Sequence, residues 1–81
     1  MTHTRSEVHD AIVAMVAEIA ERDPAELPTD KPLRGELKVD SLALVELQIA
    51  IEQELGVRIP DDDGRTLLTI DDYVDYVERA G

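Results

Sequence analysis

Val39-Asp40-Ser41-Leu42-Ala43-Leu44-Val45-Glu46-Leu47 is the stretch from which the fold of this chain can be read. Asp40 is a helix N-cap residue, its short carboxylate suited to accept from the free N–H groups of the first turn. One of only two serines in the chain follows it at once. Beyond Ser41 the apolar residues recur at helical spacing as far as Leu55, and Gly56 supplies the left-handed residue that commonly ends a helix. A helix over about residues 41–55 is therefore predicted.

Two apolar stripes run along that helix. Leu44, Leu47, Ile51 and Leu55 form one, which must pack on other helices. Leu42, Val45 and Ile49 form the second, on a face where a helix with one buried side should be polar. Glu46, Gln48, Glu52, Gln53 and Glu54 are interleaved, and no Lys or Arg occurs from Val39 to Val57. An apolar strip edged with carboxylates fits a partner groove with an apolar floor and a basic rim.

Outward from this helix the signals remain helical. Thr4 with Glu7 three residues on reads as a capping box, and Val8, Ile12, Met15, Val16 and Ile19 make one stripe. That predicts a helix over about residues 5–21, closed by Asp23-Pro24. Asp23 can cap one extra turn with Pro24 at its first position. A loop follows over 22–39, with Leu33 and Leu37 expected to pin it to the core. Val57-Arg58-Ile59-Pro60 reads as an extended link and Asp61-Asp62-Asp63-Gly64 as a turn, placing a short helix at about 65–68. Thr69 and Asp72 cap a last helix over about 70–79, bearing Ile70, Tyr73, Val74 and Val77. The expected fold is all-α, three main helices plus one short helix, in a single domain spanning 1–81.

Composition narrows the chemistry. Nineteen acids against eight bases leave a net charge of −11, which phosphate backbones and anionic lipid repel. No nucleic acid and no membrane are expected, and no run approaches the roughly 20 apolar residues a membrane span needs. With no leader-like apolar stretch at the start, a cytoplasmic location is expected. There is no cysteine, so neither a disulfide nor a thiolate nucleophile. Asp61-Asp62-Asp63-Gly64 is not a calcium loop: Ile59 and Ile70 stand where such a loop needs acids, and no metal site is expected. His3 and His9 lie in the N-terminal segment, remote in sequence from Ser41, which leaves a serine hydrolase without its base.

With Asp40 as cap, the Ser41 hydroxyl is left free at the first turn. A phosphoryl group attached there would face free N–H groups and the positive end of the helix dipole.

Asp40-Ser41-Leu42, the helix through Leu44-Val45-Glu46-Leu47, the run Glu52-Gln53-Glu54-Leu55-Gly56-Val57-Arg58-Ile59-Pro60-Asp61 and the segment Leu68 to Val77 together resemble the acyl carrier proteins, over nearly the whole chain. The resemblance implies an acyl-carrier-like four-helix bundle with 4′-phosphopantetheine on Ser41, Asp40 completing the motif. It implies installation by a phosphopantetheinyl transferase from coenzyme A, and a thiol that carries acyl groups as thioesters between partner enzymes, so a carrier and not an enzyme. The family's partner-contacting positions fall on Leu42, Val45, Glu46, Ile49, Glu52 and Asp61. The partners implied are acyltransferases or ligases, ketosynthases and other pathway enzymes with basic docking patches, met by a monomer. Lys38 stands where the family commonly has glycine, Ala43 where the fatty-acid carriers usually have an acid, and Leu55 where an aromatic is frequent. These departures favour a polyketide or other specialised pathway over housekeeping fatty-acid synthesis. The alternatives are a peptidyl or aryl carrier, and an unmodified acidic helical adaptor for basic proteins.

Overall fold

In a computed structural model describing residues 3–80, the chain forms four helices: α1 (Arg5–Ala20), α2 (Ser41–Leu55), α3 (Asp61–Gly64) and α4 (Ile70–Ala80). No strand occurs among the described residues. The helix ends follow from local chemistry. Glu7 N donates to Thr4 Oγ1 at 3.2 Å and Thr4 N to Glu7 Oε1 at 3.0 Å, so the capping box satisfies donors in both directions. Asp23 caps a single 3-10 turn, Pro24–Glu26, accepting from Ala25 N at 2.9 Å. At α4, Asp72 N donates to Thr69 Oγ1 at 3.1 Å, while the Asp72 carboxylate accepts from Leu68 N and Thr69 N.

The core is aliphatic. Val8, Ile12 and Val16 of α1 meet Leu47 and Ile51 of α2 and Ile70, Tyr73, Val74 and Val77 of α4. Burying side chains of this size stabilises by about 1.5–3 kcal/mol each. Leu27, Leu33, Leu37 and Val39 are also buried, so the long loop is itself part of the core. Its backbone is tied down as well: Leu33 N donates to Leu68 O at 2.9 Å, Val39 N to Leu33 O at 2.8 Å, and Thr29 O accepts from Asp71 N at 3.0 Å. These bonds bring the loop beside the start of α4 and deliver Asp40 to the head of α2.

The short helix is at Asp61–Gly64, not at residues 65–68, and the acidic run is helix where the sequence read as a turn. Pro60 sits at its N-cap, and Gly64 N donates to Pro60 O at 2.9 Å. Three aspartates in its first turn face the positive end of the peptide dipoles, a favourable place for carboxylates. Arg65 to Leu68 descend from it as turn and link. Tyr73 is fully buried, and Gln48 Nε2 donates to its hydroxyl at 3.2 Å. Tyr76 Oη donates to Asp63 Oδ2 at 2.7 Å, tying α4 to α3.

Candidate functional site

The site is built from the head of α2 outward. Asp40 is extended, φ −79° and ψ 177°, and its carboxylate accepts from Ala43 N at 2.8 Å. Ser41 is the first residue of the helix and is exposed. None of the side-chain hydrogen bonds among the described residues uses its hydroxyl; Asp40 does the capping. A group bonded to that oxygen displaces no internal contact and lies at the positive end of a 15-residue helix. Ser41 thus fits a covalent phosphodiester on three counts: access, an unused hydroxyl and a favourable field. Activation is a different matter, because no histidine or free carboxylate is bonded to it. His9 contacts Asp10 at 3.3 Å on α1.

Lys38, two residues before Asp40, has φ +55°. The left-handed turn that glycine would make easily is thus kept by a lysine, and Lys38 N donates to Gly35 O at 3.2 Å.

Along α2 the two stripes part. Leu47 and Ile51 are completely buried and Leu44 and Leu55 half-buried against the core. Leu42, Val45 and Ile49 are 69%, 50% and 52% exposed, an uncovered apolar line starting beside Ser41. Glu46 and Glu52 are exposed along it. Asp61 enters from α3: Val45, Ile49, Glu52 and Asp61 line one groove of about 270 Å³. Val45 and Asp61 also line the cleft that holds Ser41, and Leu42 follows Ser41 directly, whereas Glu46 lies on the other flank of α2, beside Glu18, Glu21 and Glu54.

A larger cleft, about 480 Å³, opens at Ser41 itself, between α2, the loop and α3. Leu33, Leu44 and Leu67 supply its apolar lining, Gln48 its amide, and Arg34 and Arg65 two cations. Leu68, 60% exposed, also lines it and extends the apolar surface beyond α2. The sequence does not single out Leu68, because in the pair Leu67-Leu68 nothing local says which residue turns inward. Gly64 sets the closeness of α3 to α2: a Cβ there would stand 2.6 Å from Gln48 Nε2.

Residues 10–77 match the family model for the phosphopantetheine attachment site. An acyl carrier protein of Acidothermus cellulolyticus is 35% identical over 80 residues, covering 99% of this chain and 95% of its own length. One of Rickettsia typhi is 39% identical over 76 residues, covering 94% and 88%. In structure, the chain matches the acyl carrier protein from Enterococcus faecalis at a TM-score of 0.83 and 23% identity, covering 98% of this chain and all of the other, a likeness of fold.

Proposed function

The chain belongs to the acyl carrier proteins, and from that premise we propose that Ser41 is its attachment residue and that Leu42, Val45 and Ile49 are where partner enzymes dock. Membership makes the protein a carrier of acyl groups that uses 4′-phosphopantetheine, not an enzyme, and dependent on a phosphopantetheinyl transferase and the enzymes of a pathway. What carries the residue assignment is the exposed, uncommitted Ser41 hydroxyl at the head of α2, spared from capping by Asp40.

In the loading reaction the Ser41 oxygen attacks the pyrophosphate of coenzyme A at the phosphorus bearing the pantetheine. One O–P bond forms, the bridging O–P bond breaks, and the nucleotide half leaves. The hydroxyl proton goes to the transferase, since none of the described residues is bonded to the hydroxyl to accept it. Once attached, the arm's thiol holds acyl groups as thioesters. The protein's own part is to hold the serine at a fixed entrance, to oppose the phosphodiester with the helix dipole, and to mark the spot with an apolar strip. Tethering then gives each partner a high effective concentration of cargo.

Glu52 and Asp61, with Arg58 as the one base on their groove, and Glu46 on the other flank of α2 leave the strip bordered by net negative charge, which supports acyltransferases or ligases and ketosynthases with basic patches as the partners. Ala43 and Lys38 support a polyketide or other specialised pathway rather than fatty-acid synthesis.

Intact mass after incubation with coenzyme A and a broad-specificity transferase tests the assignment. The wild type should gain one phosphopantetheine and Ser41→Ala none. A gain that survives Ser41→Ala would sink it.

A further inference from the structure

The charges on the cleft at Ser41 run against those of the molecule. The chain has 19 acids and only eight bases, none of them between Lys38 and Arg58. Yet Arg34 from the loop and Arg65 just after α3 both line this cleft, against a single acid, Asp61. The groove on the other flank of α2, floored by Met15 and Ile19, has the reverse lining: Glu18, Glu21, Glu46 and Glu54, and no base.

Neither guanidinium is committed elsewhere. Arg65 reaches Asp62 only at 3.9 Å, with both side chains exposed, and Arg34 makes no ion pair among the described residues. Leu33, Leu44 and Leu67 give the cleft one apolar side, while the two guanidinium groups stand in solvent with their donors unused. Guanidinium groups present paired donors in a plane that matches two oxygens of a phosphate or carboxylate.

We propose that this cleft is a seat for a negatively charged oxygen group carried on Ser41, held by Arg34 and Arg65. The occupant is the arm's phosphodiester or a carboxylate on the acyl cargo. The proposal rests on the assignment of Ser41. It makes the carrier selective: a cargo that ends in a carboxylate is drawn onto the protein, whereas a saturated chain of equal length is not held by charge.

The test compares four forms of the full chain: unmodified, phosphopantetheinylated, and loaded in one step from butyryl- or succinyl-coenzyme A, which differ by the terminal carboxylate. Readouts are the side-chain N–H resonances of Arg34 and Arg65 and the melting temperature. A move of those resonances on phosphopantetheinylation identifies the phosphodiester. A further move with succinyl, and a melting temperature about 2–4 °C above the butyryl form, identifies the cargo carboxylate. Either response should vanish in the Arg34→Gln, Arg65→Gln double variant, compared at equal loading. Resonances unmoved in all four forms, or a melting difference that survives the double variant, overturn the seat. Mass separates the two readings. No gain on loading overturns the assignment of Ser41 and the seat with it, while a gain without the arginine response overturns the seat alone.

Discussion

Lys38 holds a backbone conformation, φ +55°, in which an L side chain crowds the following carbonyl. The cost is about 1–2 kcal/mol, and glycine there would lose about 0.5–1 kcal/mol of it back to unfolded-chain entropy. Lys38→Gly should therefore stabilise by about 0.5–1 kcal/mol, a rise in melting temperature of about 2–8 °C. Lys38→Ala is the control, because it removes the charge and keeps the Cβ; equal stabilisation by Ala would show that strain is not the cause. Tyr73 gives the opposite kind of residue effect. Burial pushes its hydroxyl above the ordinary tyrosine range, the bond from Gln48 opposing this in part. A group whose folded value is raised supports the fold below its unfolded value, near pH 10, and the support is lost as pH climbs through the folded value. Tyr73→Phe should flatten the alkaline limb of a stability profile above about pH 10, while costing about 0.5–1.5 kcal/mol at neutral pH for the lost hydrogen bond.

On a single element, α2, the buried face should govern stability and the uncovered face the proposed docking. Ile51→Ala empties a wholly buried position and should cost about 2–5 kcal/mol in denaturant unfolding. Ile49→Ala, two residues away and half in water, should change stability by under about 0.5 kcal/mol yet slow turnover by partner enzymes. Comparable losses of stability from both would refute the division. Much of α2 was legible because its signals are local: Asp40 before the helix, Gly56 after it, and a stripe of apolar residues too many for one buried face. Elements whose form depends on distant neighbours were not. Asp61-Asp62-Asp63-Gly64 has the composition of a turn, and its tie to the bundle comes from Tyr76, 13 residues on, whose hydroxyl donates to Asp63. Arg34 and Arg65 lie far apart in sequence and share a cleft only because Leu33 N bonds to Leu68 O and folds the loop against the approach to α4.

Across the whole molecule the excess of carboxylates works against compactness. Raising ionic strength from about 0.01 to 0.15 M shortens the reach of that repulsion from about 30 to 8 Å, and the melting temperature should rise. One cross-link responds the other way. Arg5 bridges the start of α1 to the end of α4, with Asp75 at 2.8 Å and Glu78 at 2.7 Å, both exposed pairs that salt weakens. Arg5→Gln should therefore melt lower than the wild type at low salt and converge with it at high salt; a gap independent of salt would show that the pairs contribute nothing. The ion-paired end also contrasts mechanically with the other. Helix α3, with no buried residue of its own, is tied across by the hydrogen bond from Tyr76 to Asp63 and anchored at its two ends by buried Ile59 and Leu67. Widening the cleft by displacing α3 works against that bond and those two anchors, whereas displacing α1 or α4 would tear apart the main body of the aliphatic core. The molecule behaves like a rigid frame with one lightly held wall, and that wall borders the cleft of Ser41, the residue proposed to tether the cargo.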